Sequence, residues 1–320
     1  MRREKGSVLV IVLFMVFFLA AIALSLSYTA QLEMTAMRRY IDMQKSFYLA
    51  QGVMKLVIEE LKADKLSNNV DSYLDAYHMK FRKDDRASKL DISDDAGNSA
   101  GSYQVVITDE RAKININKVS SQTIKELLRN FKGINSSRVD RDLISLEKNK
   151  SGQNKYVSIY EWRKLLAIND NAFWGEDINN NGILDAWEND GAETLPEDNG
   201  NGELDLGIKD FLTVHTDGKV NVNTAVLPVL ASLPGMNDEI AQLIIDRRYD
   251  KPFQNLDELK NAPFISSEIN DKILSWAAAR SDIFTVSVVA RASGTNTPRQ
   301  ILAVVDRSQD EVRIKYWRED

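Results

Sequence analysis

The chain has 320 residues, a formal charge of -6, no cysteine and two histidines. Its length suits a composite body, since single cores stop growing at roughly 250–300 residues. The acidic balance argues against a dedicated nucleic-acid binder, whose phosphate affinity rests on Lys and Arg. The lack of cysteine excludes disulfides and thiolate metal sites, so oxygen ligands become the ones to look for. His78 and His215 are far apart and read as surface or structural residues, and no nucleophile stands beside a base.

No charged residue occurs from Gly6 to Leu32, and the run Ser7–Leu26 alone is apolar and long enough to cross a bilayer as a helix. Arg2, Arg3 and Lys5 precede it, which keeps the short N-terminus cytoplasmic and puts the body on the far side. Ala21-Ile22-Ala23 fits a secretory cleavage site, and a cut there would release the body. Against that reading, neither Gly nor Pro interrupts residues 7–51. Met37, Tyr40, Met43, Phe47, Ala50, Met54, Ile58 and Leu61 continue one apolar stripe at steps of three and four. The spacing predicts one helix from the membrane to about Lys65.

Strands are predicted at Ser102–Thr108, Ile283–Arg291, Gln300–Asp306 and Glu311–Trp317, all rich in β-branched residues and separated near the C-terminus by turn residues. Between the first and second of these lie two echoing segments. Lys113-Ile-Asn-Ile-Asn117 leads to Gly133-Ile134-Asn135 and Ser158-Ile-Tyr-Glu161-Trp162. Lys219-Val-Asn-Val-Asn223 leads to Gly235-Met236-Asn237 and Asn255-Leu-Asp-Glu258-Leu259. The second copy resembles a helix-hairpin-helix module with Leu227, Leu230, Leu233, Ile240, Leu243 and Ile244 as its core. DNA-binding hairpins offer backbone N–H groups and basic side chains to a phosphate. Here Asn237, Asp238 and Glu239 occupy that position, and Arg247 and Arg248 lie at the far end of the next helix. The hairpin therefore reads as a packing unit.

The sharpest motif runs from Asp177 to Glu188 and satisfies the twelve-residue calcium loop D-x-[DN]-x-[DN]-G-x5-E. Its oxygens would come from Asp177, Asn179, Asn181, the Ile183 carbonyl, Asp185 and bidentate Glu188, with Gly182 at the sharp turn. A second, looser loop offers Glu197, Asn199, Asn201, the Glu203 carbonyl and Asp205, with Ile208 at position twelve and Asp210 or Asp198 as substitute carboxylate. Between Asp170 and Asp210 there are twelve acidic residues and one lysine, a density that repels itself open without cations. Structural Ca2+ is expected at the first loop, with a second ion at the looser one.

The basic leader ending in Lys5-Gly6, followed by the long apolar helix, resembles the prepilin class of type IV pilins and type II secretion pseudopilins. The resemblance implies cleavage between Gly6 and Ser7 by a prepilin peptidase. It also puts Ile11 at the fifth mature position, where major pilins carry a glutamate that pairs with a neighbour's terminal amine in lipid. That departure, the Asp109-Glu110-Arg111-Ala112-Lys113 stretch, the inserted hairpins and the calcium loop together resemble the minor pseudopilin K family over nearly the whole chain.

The implied fold is α+β, a pilin-like long N-terminal helix on an antiparallel sheet with a large helical domain of helix-hairpin-helix-like units inserted. Its divisions would be a leader at 1–6, the pilin helix at 7–65, first strands at 66–112, the insert at 113–278 with calcium loops at 177–210, and final strands at 279–320. The implied role is that of a non-enzymatic tip subunit in protein export across the outer membrane, single-pass in the inner membrane with its body in the periplasm. Its partners would be I- and J-type minor pseudopilins, the pseudopilus and the peptidase, and not nucleic acid. Two competing readings are a competence-type DNA receptor and a calcium-dependent exported enzyme using carboxylates as acid and base.

Overall fold

The computed structural model describes residues 5–67, 69–75, 82–83, 86–87, 90–93, 99–129, 131, 139, 155–166, 168–189 and 200–320. Residues 1–4 of the expected leader, His78 and the Gly133-Ile134-Asn135 turn lie outside them.

Helix α1 spans Lys5–Ser67 without a break, as the absence of Pro and the delayed Gly52 allow. It is the one helix among the described residues long and apolar enough to cross a membrane. Residues 8–41 are exposed along their whole length. Below them Ser46, Ala50, Val53, Met54, Val57, Leu61 and Asp64 are buried at steps of three and four, one face of a 3.6-residue helix. The stripe predicted from Met37 begins lower than expected, because Met37 and Tyr40 are 60% and 57% exposed. The rim of the sheet meets α1 at Ser46, whose Oγ accepts the Ala292 N–H at 3.1 Å, so residues a turn or more above have no surface to pack on.

The sheet has five antiparallel strands in the order β11-β10-β9-β4-β3. They are β3 (Leu90–Ser93), β4 (Ser99–Asp109), β9 (Ile283–Ala292), β10 (Arg299–Asp306) and β11 (Arg313–Glu319). A two-stranded ribbon of β1 (Arg82–Lys83) and β2 (Arg86–Ala87) precedes them. One face packs on α1 through Val105, Ile107, Phe284, Val286, Val288, Ile301, Ala303 and Val305. The alternation of these residues along each strand is the period of two that puts one set of side chains on one face.

The described residues between β4 and β9 build a second, separate core that includes Ile114, Trp162, Phe173, Val222, Leu230, Ile244, Leu259 and Trp276. Among its described residues the insert has a 3-10 turn (Glu110–Ala112), β5 (Ile114–Asn115), α2 (Ser121–Leu128), α3 (Ile159–Leu166), α4 (Asp170–Trp174) and a second 3-10 turn (Ile208–Phe211). It continues through β6 (Leu212–Thr213), β7 (Val220–Asn221), α5 (Leu227–Ala231), α6 (Asp238–Asp250), α7 (Leu256–Lys260), α8 (Ser267–Trp276) and β8 (Ala277–Ala278).

The echo between the two Asn-x-Asn segments is structural. Asn117 accepts the Tyr156 N–H at 2.8 Å and donates to the Tyr156 carbonyl at 2.9 Å. Asn223 does the same to Phe253 at 2.8 and 2.9 Å. In each copy the preceding asparagine, Asn115 or Asn221, accepts the backbone N–H of the second. Each copy opens on a short strand that pairs in parallel with the strand closing it, β5 with β6 and β7 with β8. In the second copy Leu230, Leu233 and Ile244 are buried as expected, but Leu243 is 39% exposed. The buried row of α6 is Ala241 and Ile244, and Leu243 lies two residues from Ala241, on nearly the opposite side of the helix.

Candidate metal centre

The Asp177–Glu188 segment leaves α4 through Gly175, whose backbone forms a bridge with Leu206. Gly175 has φ +61°, and a Cβ there would lie 2.3 Å from the Gly207 nitrogen, so only glycine permits the closure. Glu176 and Asp205 seal the base through paired backbone and side-chain bonds of 2.9 and 2.8 Å. The acidic stretch is thus an excursion whose two ends meet.

Within it the side chains are tied together by hydrogen bonds. The buried Asp177 carboxylate accepts the N–H groups of Asn181 and Gly182 at 3.0 and 2.9 Å. The amides of Asn179 and Asn181 both donate to Asp185 Oδ2, at 2.9 and 2.8 Å. Glu188, 1% exposed, accepts the N–H groups of Ile178 and Asp185, each at 3.1 Å. Ile183, at position seven, gives its N–H to Asn181 Oδ1 at 2.7 Å, which fixes the orientation of that peptide. Asn180 and Gly182 take positive φ, +60° and +73°, to make the turn.

Burial, with Asp177 and Asp185 adding their repulsion, pushes Glu188 up to about 7, and burial also raises Asp177. Lys209, buried beneath the loop and paired with Asp210 at 2.8 Å, offsets part of this at Asp177. Three carboxylates and two amide groups at positions 1, 3, 5, 9 and 12 thus share one turn, whereas among the described residues only Asp64, Asp71 and Asp75 bring their carboxylate oxygens within 4.8 Å of one another. The donors are all hard oxygens once the second lone pair of each Asn carbonyl is counted. By donor chemistry the set is of the hard-oxygen kind that Ca2+ takes.

The second loop is less complete. Glu197, Asn199 and Asp198 lie outside the described residues. Asn201 accepts the Glu203 N–H at 2.6 Å, and Asp205 belongs to the sealed base. Asp210 accepts the Gly207 N–H at 2.9 Å and holds Lys209, and its charge acts on Asp177, so the structure sets it under the first loop. Gly6 and Ser7 fall in the first turn of α1. His215 is partly buried and burial lowers its pKa, which keeps it neutral.

A second carboxylate group was not legible in the sequence. Asp64, Asp71 and Asp75 are all buried and converge closely enough to admit a cation, but a guanidinium already serves them. Arg307 Nη1 donates to Asp64 at 2.9 Å and to the Leu61 carbonyl at 2.6 Å, and Nη2 donates to Asp71. The Arg307 guanidinium also lies 4.6 Å from the centre of the Phe284 ring. Asp71 accepts the Ser281 N–H at 2.7 Å, and Asp109 accepts from Ser281, Thr224 and Asn221 at 2.6, 2.5 and 3.0 Å. This network ties the end of α1 to both ends of the insert.

The long helix, the antiparallel sheet and the helical insert define a pilin-like fold of the pseudopilin kind. Over 88% of this chain and 98% of the other, it is similar to a chain in the crystal structure of the GspK-GspI-GspJ complex from the enterotoxigenic Escherichia coli type 2 secretion system, with a TM-score of 0.52 and 10% identity. The helix-hairpin-helix motif family matches residues 215–276. Comparison with curated proteins finds no match.

Proposed function

We propose that the chain is a K-type minor pseudopilin, a non-enzymatic subunit that caps a type II secretion pseudopilus and takes part in protein export across the outer membrane. The observation carrying this reading is the architecture, in which α1 is bare over residues 8–41, sheathed by the sheet below Ser46, and joined to a large insert between two adjacent strands. A helix whose upper half is exposed among the described residues suits insertion among other such helices in lipid. In this reading a prepilin peptidase cuts between Gly6 and Ser7. The helix α1 anchors the chain in the inner membrane, the body lies in the periplasm, and I- and J-type minor pseudopilins are its neighbours. Calcium in the Asp177–Glu188 loop supplies the positive charge that Asp177, Asp185 and Glu188 lack. The irregular second loop, with Glu197, Asn199, Asn201, Glu203 and Asp205, takes a second ion.

The helix-hairpin-helix match favours a second reading, a membrane-anchored DNA receptor. Both arginines of the hairpin are otherwise employed. Arg248 is largely buried and donates to the Val222 and Ala225 carbonyls, both at 2.6 Å. Arg247 donates to the Lys251 carbonyl and lies over the Phe253 ring. At the turn, Asn237 caps α6 and Asp238 and Glu239 follow it, which would repel a phosphate.

The test is the intact mass of the membrane-extracted chain, together with its co-purification with I- and J-type subunits. A mature start at Ser7 and a stable ternary complex are expected. A start at Leu24 overturns the filament role, and a salt-sensitive gel shift with duplex DNA favours the receptor.

A further inference from the structure

The sheet has two faces, and α1 covers only one of them. The row Val105, Val288 and Ile301 points to α1. The neighbouring row Val106, Ser287, Leu302 and Arg318 runs across four strands on the opposite face. That face would be open to water, yet Ser287 and Leu302 are only 4% and 8% exposed.

What lies over them is the first metal loop. A Cβ placed on Gly182 would sit 2.8 Å from the Val106 Cγ1, so the tightest turn of the loop rests on β4. Arg318 of β11 donates to the Asn179 carbonyl at 2.7 Å. Gln300 of β10 reaches the Asn179 and Asn180 carbonyls, and Ser287, at 3.4 Å. The loop is an excursion from the insert, closed at Gly175 and Leu206, and it makes these contacts far from its own base in the chain.

We propose that the loop is a metal-dependent clasp that holds the insert against the outer face of the sheet, with Arg318 and Gln300 as its positioning residues. The proposal rests on the reading of Asp177–Glu188 as a calcium loop. The contacts to the sheet are made by the carbonyls of Asn179 and Asn180 and by Gly182, and the peptides there point outward only while the turn keeps its positive φ values. The buried carboxylates of Asp177 and Glu188 and the half-buried one of Asp185 share the same turn, and their repulsion opposes that conformation until a cation joins them. Binding inside the loop and docking outside it are therefore two sides of one backbone conformation. Arg318 and Gln300 stand to the metal as outer groups that orient its ligands, a class whose loss weakens affinity about tenfold or more.

The absence of native cysteine makes the test clean. The full chain is taken in detergent, calcium binding is measured by displacement of terbium whose emission Trp187 sensitises, and maleimide labelling is followed on Leu302→Cys and, separately, on Ile301→Cys. Expected are faster labelling of Leu302→Cys when calcium is chelated, no labelling of Ile301→Cys in either state, and about tenfold weaker calcium binding in Arg318→Ala/Gln300→Ala, partly restored by Arg318→Lys with Gln300 intact. If wild type binds calcium but Leu302→Cys labels equally with and without it, the clasp is overturned and the metal reading stands. Labelling of both cysteines on chelation also overturns it, since the whole body would then be unfolding. If wild type binds neither ion, the metal reading fails and takes the clasp with it.

Discussion

Arg307 ties separate parts of the body together, because it is 1% exposed and serves carboxylates from α1 and from the segment after it. Replacing it with methionine would keep the volume and leave Asp64 and Asp71 buried without a cation. The expected loss is about 3–5 kcal/mol, measured by chemical denaturation at pH 8. Part of that loss should vanish at pH 5, because burial already pushes Asp71 up to about 7 and a protonated Asp71 needs no partner. An aspartate held above its unfolded value of 3.8 binds its proton more tightly when folded. Its contribution is complete below pH 3.8 and is lost as pH rises through the folded value. Asp75, raised chiefly by burial to about 6, behaves alike over a narrower window. Asp75→Asn should therefore stabilise the chain by about 1–2 kcal/mol at pH 8 and flatten the decline of stability between pH 4 and 6. An unchanged melting temperature at pH 8 would remove the argument.

At the scale of elements, α1 divides at Ser46 into a bare half and a packed half. Met54→Ala should cost about 2–5 kcal/mol by leaving a cavity between α1 and the sheet, whereas Met37→Ala should cost the soluble body nothing, a contrast that denaturation of the two variants in detergent reads directly. The sequence carried the elements well where a period was strong. The four predicted strands appear as β4, β9, β10 and β11 within two or three residues of their expected ends, and α1 ends at Ser67 against an expected Lys65. Periodicity could not say where α1 meets the sheet, because an apolar stripe looks alike in lipid and on a protein surface. For the same reason Leu243 was placed in the core, since on a short helix two adjacent apolar residues can share only part of one face. The hydrogen-bonded turn that holds Asp177, Asn179, Asn181, Asp185 and Glu188 could be read from one short motif because loop chemistry is local. The groups that brace that loop, Gln300 and Arg318, were not, since they come from strands more than a hundred residues away. The Arg307 network escaped for the same reason.

For the whole molecule, two cores meet through polar groups. One lies between α1 and the sheet, and the other lies inside the insert. Between them run Arg307, Asp71, Asp109, Ser281 and Asn221, and the buried Glu110 joined to Lys113, Thr213 and Thr285. A junction of this kind specifies one arrangement of the two bodies, because any shift leaves buried charges unpaired. Removing calcium from the purified chain should lower its melting temperature and make residues 170–210 sensitive to protease, and equal melting with calcium and with chelator would sink the structural role given to the ion.

The adjacency of β4 and β9 has a consequence for how the chain reaches its folded state. The two strands pair residue for residue, yet the whole insert separates them in sequence. Pairing them directly would close a very long loop, at an entropic cost that grows with its length and must be met before any contact forms. The insert shortens that loop if it folds first, since the opening strand β7 and closing strand β8 of its second copy bring Asn221 and Ala278 side by side, and Asn221 and Ser281 both bond Asp109 at the end of β4. The sheet can next zip upward from that point toward Ala292 and α1. Refolding followed by pulsed hydrogen exchange should show amides of α6 and α8 protected before those of β4 and β9, so the element interrupting the sheet becomes the template on which the sheet is nucleated.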